Sequence, residues 1–333
     1  MSPEWMGSEQ REGEGQQEPF SELIASWNAG TPAGTWIETL ARLRVGPSAN
    51  LVERWTRWYS LGVWSSEEDP MRRHSVNGQD DADARVATDV LKLRTGQAAS
   101  FQLKVVLHRS DSTAEDTPLV RALFATTSGP LSTMPLGPES EARGSLPVTV
   151  GQRLDLPQCS QMIYPDGGTV WCSPTCVSMV VAYWTQDQRP CEPRVRAAVA
   201  GVYDRVYDGH GNWPFNTAYA ATHGLEAYVL RLPHLSEAER WIAAGVPLVL
   251  SYGWREGELA GAPIPRSSGH LVILAGFDAN GNPIIHDPAA PTNATVRRTY
   301  RRAQIERLWL THSAGTAYAI HPPDWPTPLT PQR

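Results

Sequence analysis

The stretch WCSPT, residues 171–175, places a cysteine at the start of an apolar helix. Ser173 suits the N-cap position, and Pro174 suits the first helical position, where a missing N–H costs nothing. Apolar residues follow at the i, i+3, i+4, i+7 spacing of one buried helical stripe: Val177, Val180, Val181 and Trp184. The free N–H groups and the dipole of a helix start favour a thiolate, and such a setting lowers a cysteine pKa from about 8.5 to roughly 3.5–7.5. The stretch therefore predicts a reactive thiol at Cys172.

The composition is that of a soluble globular protein. A length of 333 residues favours about two domains, and 41% apolar with 19% charged residues is enough to build real cores. The net charge of -6 argues against a nucleic-acid partner, which needs clustered Lys and Arg. No run approaches the 18 or more apolar residues of a membrane helix, so no membrane span is expected.

The first residues are acidic and polar and lack the basic and apolar regions of a signal peptide. We therefore expect a cytoplasmic protein if the native start is present, and a secreted or cell-envelope protein if it is missing. The compartment stays open at this point.

The chain divides into two halves of different character. Residues 1–17 are polar without periodicity and predict a disordered tail. Residues 18–148 contain short alternating segments between turn signals, which predict an all-β sandwich domain ending in a Gly/Pro/Ser-rich linker. Residues 149–323 combine helical patterns with apolar strands and predict an α+β domain, followed by a Pro-rich tail at 324–333.

Four cysteines in a chain of this length do not make a disulfide scaffold: Cys159, Cys172, Cys176 and Cys191. Cys172 and Cys176 are one helical turn apart, but no second Cys or His pair follows at zinc-site spacing. We expect no metal and no organic cofactor, and we interpret Cys176 as a small packing residue.

A thiol nucleophile needs a base and a group that orients the base. His270 opens the apolar strand GHLVILAGF, residues 269–277, and an Asn-Gly turn signal follows at 278–282. Asp287 lies beyond that turn, so a hairpin would place it on the strand next to His270. The sequence does not fix the register, and His286 and Asp278 are the alternatives that other registers favour.

Acyl transfer also needs donors for a developing oxyanion. Gln161 precedes Cys172 by eleven residues, and its side-chain amide could supply one donor beside the Cys172 backbone N–H. Gln158 is the competing candidate.

Three segments together resemble the C39-like bacterial cysteine peptidases of the papain-like superfamily. They are LPQCSQMIYPDGGTVWCSPTCVSMVVAYW (156–184), GHLVILAGFD (269–278) and IIHDPAA (284–290). The resemblance covers about residues 154–322 and implies a papain-like fold. It implies Cys172 as nucleophile, His270 as general base and acid, Asp287 as its orienter and Gln161 in the oxyanion hole.

A further segment, GNWPFNTAYAA (211–221), is similar to members of this family that carry a β-rich N-terminal extension. The transporter and ATPase parts of the bacteriocin-processing members have no counterpart here, so their double-glycine leader substrate is not carried over.

These features predict a cysteine peptidase that hydrolyses peptide or protein substrates through a thioester acyl-enzyme. Two alternatives remain: a papain-like amidase or acyltransferase on a non-protein amide, and a binding protein with a vestigial peptidase domain. The first half is rich in aromatic residues, which are more often core than a stacking platform: Trp27, Trp36, Trp55, Trp58, Tyr59 and Trp64. A cell-wall or glycan polymer is the partner that an exposed aromatic face would favour.

Overall fold

The computed structural model describes residues 4–7 (backbone only), 19–46, 53–110, 116–129 and 149–330. Most of the predicted N-terminal tail and nearly all of the predicted linker lie outside these ranges. The described chain groups into two compact units, one within 1–134 and 203–215, the other within 135–202 and 216–333. A β-rich first half followed by a mixed α/β half is thus confirmed. The segment 203–215, which the sequence places in the second domain, groups with the first unit.

The first unit contains two antiparallel sheets. Their strands are β1 (Glu4–Gly7), β2 (Glu22–Gly30), β3 (Thr35–Val45), β4 (Arg54–Trp55), β5 (Tyr59–Trp64), β6 (Ala84–Ala87), β7 (Val90–Leu93), β8 (Ala98–Arg109) and β9 (Leu119–Ser128). One sheet has the order β1-β8-β3-β4 with β5 also paired to β3, and the other has the order β6-β7-β2-β9.

One hydrophobic cluster joins both sheets of the first unit. It includes Leu23 and Ala25 from β2 together with Ala41 and Leu43 from β3. Residues 4–7 pair with β8, so this part of the predicted disordered tail is a strand whose backbone completes the β8 ladder.

The segment 203–215 is fixed to the first unit by a buried carboxylate. Asp204 accepts hydrogen bonds from the Ser75 backbone N–H (2.9 Å) and from the Asn212 amide (2.9 Å). Phe215 packs edge-on against Trp27, which is fully buried, as is Trp64. These two tryptophans are core residues, as the sequence favours.

The second unit is built on a six-stranded antiparallel sheet. Its strands are β10 (Glu226–Arg231), β11 (Leu248–Trp254), β12 (Ser267–Phe277), β13 (Pro283–His286), β14 (Arg297–Thr299) and β15 (Thr316–His321). They lie in the order β10-β15-β11-β12-β13-β14. The α-helices are α1 (Cys172–Thr185), α2 (Cys191–Val202), α3 (Trp213–Ala221), α4 (Leu235–Ala243) and α5 (Arg302–Ser313). Residues 213–215 of α3 group with the first unit.

Helix α1 is the buried helix of this unit. Every residue from 173 to 182 is buried, because the helix packs against β12, β15 and α2. A helix apolar on all sides belongs inside a domain. In the described ranges, no helix is long and apolar enough to cross a membrane.

Candidate active site

Cys172 is the first residue of helix α1, two positions earlier than the sequence indicates. Trp171 occupies the N-cap position without a side-chain cap, so the predicted Ser173 cap is wrong. The Ser173 hydroxyl instead lies 3.0 Å from the Tyr318 hydroxyl, which draws it into the core. Pro174 is still in the first turn, where its missing N–H is tolerated. Cys172 is partly accessible at the helix end that favours an anion.

The β12–β13 hairpin brings His270 and Asp287 together. Ile273 pairs with His286, so Asp287 follows the last residue of β13 on the side of His270. His270 Nε2 donates to Asp287 Oδ1 at 2.8 Å, and both residues are buried. This contact leaves Nδ1 as the ring nitrogen for Cys172.

The three side chains are coupled electrostatically. Burial alone would lower the pKa of His270, but the Asp287 carboxylate and the bond to Cys172 outweigh it and raise this pKa to about 10. Burial alone would raise the pKa of Cys172, yet the hydrogen bond and charge of His270 lower it below the ordinary thiol value. The arrangement therefore favours a thiolate–imidazolium pair.

Asp287 is kept ionised against the cost of its burial. The charge and hydrogen bond of His270 and further hydrogen-bond donors lower the pKa of Asp287. The Tyr300 hydroxyl donates to Oδ2 at 2.7 Å, and the Ala289 backbone N–H donates to Oδ1 at 3.0 Å.

The two alternatives that the sequence left open lie elsewhere. Asp278 accepts the backbone N–H groups of Asn280 and Asn282, both at 2.8 Å, and thereby closes the hairpin turn. His286 Nδ1 faces the Pro157 carbonyl at 3.2 Å, and burial lowers its pKa to about 4. Neither one shares the Cys172–His270 arrangement.

Gln161 is buried in the turn that leads to Cys172. Its amide Nε2 donates to the Gly168 carbonyl at 2.6 Å, and its backbone N–H donates to the Pro288 carbonyl at 2.8 Å. A Cβ on Gly168 would collide with the Gln161 carbonyl, so only glycine permits this approach. No hydrogen bond within the described ranges joins the Gln161 side chain to Cys172.

Gln158 has a different position. Its Oε1 accepts the Arg297 backbone N–H at 3.3 Å at the start of β14. The Gln158 side chain therefore lies against β14, whereas the Gln161 side chain lies in the turn before helix α1.

Cys176 is a buried neutral thiol. Its Sγ lies 3.3 Å from the Leu271 carbonyl, to which the S–H donates, and burial beside Cys172 and Asp287 raises its pKa well above the ordinary value. No group of three His, Cys, Asp or Glu side chains able to hold a metal ion occurs in the described ranges.

The remaining two cysteines form a disulfide that the sequence analysis did not predict. Cys159 and Cys191 are bonded across 32 residues, joining the loop that carries Gln161 to the start of α2. Sequence spacing alone does not reveal a single pairing between distant elements. The Arg194 guanidinium lies 3.8 Å from the Cys159 sulfur.

We expect loss of this disulfide to lower the free energy of unfolding by about 3–4 kcal/mol, the loop-closure value for a ring of this size. Cys191→Ser is the milder variant because Cys191 is only half-buried, whereas Cys159 is fully buried. Urea unfolding with and without dithiothreitol measures the effect. The reductant should shift the midpoint of the wild type and leave that of the variant in place. An unchanged wild-type midpoint would contradict the assignment.

Three buried aromatic residues at the site were missed by sequence reasoning. Trp254 lies edge-on against His270, with ring centroids 5.5 Å apart. The Tyr300 hydroxyl donates a hydrogen bond to Asp287. Tyr252 on β11 lies opposite His270 on β12, and its buried hydroxyl has no hydrogen-bond partner in the described chain. None of them belongs to a local motif, because each reaches the site through tertiary packing.

The two tyrosines give a matched pair of variants. Tyr300→Phe removes a hydrogen bond to a buried carboxylate and should cost about 1.5–3 kcal/mol in free energy of unfolding. Tyr252→Phe removes a hydroxyl without a partner and should leave stability unchanged or raised. Chemical denaturation of both variants checks this, and an equal loss in both would contradict it.

Two family models match this chain. Residues 5–128 match the Peptidase C39 N-terminal domain, and residues 153–316 match the Peptidase_C39 like family. No curated protein matches the chain. The second match contains Gln161, Cys172, His270 and Asp287.

Proposed function

Because the chain belongs to the C39-like peptidase family, we propose that it is a cysteine peptidase acting through Cys172, His270 and Asp287. The observation that carries this proposal is the coupled thiol–imidazole–carboxylate arrangement at the start of α1. A thiol paired with an imidazole that a carboxylate orients is the arrangement of nucleophilic acyl transfer.

The proposed reaction has two steps. The Cys172 thiolate attacks the peptide carbonyl, and His270 gives its proton to the leaving amine as the C–N bond breaks and a thioester forms. His270 then takes a proton from water, whose oxygen attacks the thioester; the acid is released and the Cys172 thiolate is restored beside the His270 imidazolium. Asp287 orients the ring and stabilises its charged form throughout.

We propose the Cys172 backbone N–H and the Gln161 amide as oxyanion donors. The Nε2 group of Gln161 uses one N–H on Gly168 and has a second N–H for the developing charge. The buried Oε1 of Gln161 has no partner in the described chain. Gln161→Ala should then lower kcat more than KM.

We also propose a papain-like fold for the second unit and a β-sandwich for the first. A buried helix that begins with Cys172 and an antiparallel sheet that carries His270 support a papain-like fold for the second unit. Two antiparallel sheets sharing one hydrophobic cluster support a β-sandwich for the first unit.

The test is peptide hydrolysis by the full chain under mild reduction, with mass spectrometry of a diverse peptide library and Cys172→Ala as control. Cleavage that disappears in this variant supports the proposal. An intact library beside a reactive Cys172 would contradict a peptidase and favour an amidase or acyltransferase on a non-protein amide.

We also propose that the first unit binds a cell-wall or glycan polymer. Trp36, Trp55 and Trp58 are only half-buried, unlike the core tryptophans. The Arg42 guanidinium lies 4.8 Å and 4.7 Å from the ring centroids of Trp55 and Trp58, forming a cation–aromatic surface. Co-sedimentation of the full chain with peptidoglycan, compared with Trp58→Ala, tests this; equal sedimentation of both would contradict it.

The disulfide supports a compartment outside the reducing cytoplasm. We therefore favour the secreted or cell-envelope alternative over the cytoplasmic one. Alkylation of the protein in its native cells before lysis, followed by non-reducing electrophoresis, distinguishes a bonded Cys159 from a reduced one.

A further inference from the structure

A polar cleft in the second unit borders the His270 side of the proposed active site. Trp254 lines this cleft and contacts the His270 ring, and Ser267 and Ser268 line it three and two residues before His270. Thr169, three residues before Cys172, lines it as well. In a thiol peptidase the imidazole must reach the leaving amine, so the leaving part of the substrate extends past the histidine. The cleft therefore lies where the residues after the scissile bond of a substrate would bind.

The cleft carries an excess of positive charge in a protein of net charge -6. Its cations are Arg255, Arg266 and Arg307, and its anions are Glu256 and Glu258. Glu258 accepts the Arg255 backbone N–H at 2.7 Å, and its carboxylate lies 3.5 Å from the Arg307 guanidinium. The Glu258 charge therefore compensates that of Arg307. The guanidinium groups of Arg255 and Arg266 form no ion pair within the described ranges, and only Glu256 remains to offset them.

Two further cleft residues are uncharged. Burial lowers the pKa of His312, so its imidazole is neutral near pH 7. Gly253 makes room for this ring, because a Cβ there would lie 2.8 Å from His312 Cε1. Trp254 is buried, and its indole N–H has no acceptor in the described chain. The charged groups that the cleft offers without an ion-pair partner in the described chain are thus the Arg255 and Arg266 guanidinium groups and the Glu256 carboxylate.

We propose that this cleft selects substrates with a carboxylate just after the scissile bond. This inference rests on the proposed peptidase function, but binding of a carboxylate in the cleft does not require turnover. The carboxylate has two sources, an Asp or Glu side chain or the free C-terminus of a substrate cleaved near its end. Guanidinium groups recognise either through charge-assisted hydrogen bonds.

The first measurement is the cleavage pattern of the peptide library. Acidic residues, or free C-termini, should be enriched about fivefold at the first two positions after the cleaved bond, the upper value for exposed ion pairs. Arg255→Gln with Arg266→Gln should remove the enrichment, whereas Arg240→Gln, on an exposed arginine of α4 outside the cleft, should keep it. Libraries with free and amidated C-termini separate the two sources.

The second measurement is independent of catalysis. Fluorescence anisotropy with the Cys172→Ala variant measures the binding of labelled peptides. One comparison is between a peptide beginning Glu-Glu and a peptide beginning Gln-Gln, and the other is between a peptide with a free C-terminus and the same peptide with an amidated C-terminus. The carboxylate peptide should bind about fivefold more tightly, and salt should reduce the difference. Cleavage without acidic enrichment would overturn the inference and leave the peptidase proposal standing. Preferential binding of the carboxylate peptides without any cleavage would contradict the peptidase proposal and support the inference. Equal binding of all peptides would also overturn the inference.

Discussion

Cys172→Ala should abolish detectable peptide hydrolysis. The variant removes the sulfur that forms the thioester, and loss of a nucleophile in a catalytic unit of this kind lowers kcat by roughly 10⁶. The fold should persist, because Cys172 is only partly buried and alanine keeps its Cβ, although the thiol's interactions with His270 and with the backbone of Leu271 and Ser173 are lost. Continuous fluorogenic assays with the best library peptide give the rates.

Cys176→Ala is the matched control. Cys176 lies one helical turn from Cys172, but it is buried and its thiol is neutral. The control should keep peptide hydrolysis at the order of the wild-type rate. Equal loss in both variants would mean that the helix, and not the Cys172 thiolate, had been damaged.

Asp287→Ala should lower kcat/KM by roughly 10³–10⁴, the scale seen when the orienting acid of a triad is removed. The variant takes away the acceptor of His270 Nε2 and the charge that raises the His270 pKa. It also leaves the Tyr300 hydroxyl without its acceptor. Rates across the pH range measure the loss.

Asp287→Asn separates orientation from charge. An amide oxygen can still accept from His270, but it carries no charge, so the His270 pKa should fall below its value of about 10. The imidazolium is then lost at a lower pH, and the alkaline limb of the rate profile should move to lower pH with a smaller drop in kcat/KM than in the alanine variant. An alkaline limb that stays in place would contradict the role of the Asp287 charge.

Much of the site could be predicted because its parts are local. The helix that begins with Cys172 and the hairpin between His270 and Asp287 each carry their own pattern of apolar spacing and turn residues. The register could not be predicted, because a bulge between Leu274 and Gly276 shifts the pairing. A Cβ on Gly276 would collide with the Gln152 carbonyl, a contact from a distant segment.

The features that were missed depend on long-range contacts. Tyr300 reaches Asp287 only after β14 has returned beside β13, and Cys159 meets Cys191 only when α2 has packed on α1. The Ser173 cap failed for a similar reason, since Tyr318 on β15 competes for its hydroxyl. Local propensity gives way to tertiary packing at these positions.

We propose that His270 keeps Cys172 as a thiolate, and the rate of iodoacetamide alkylation measured against pH reports the ionisation of this thiol. The lowered Cys172 pKa means that rapid, stoichiometric labelling should already be complete below the ordinary thiol pKa of about 8.5 and should decline only as the pH falls further. His270→Ala should move the profile to higher pH, and Cys176→Ala should leave it unchanged. A wild-type profile that rises only near pH 8.5, or one that is the same in His270→Ala, would show that His270 does not stabilise the Cys172 thiolate.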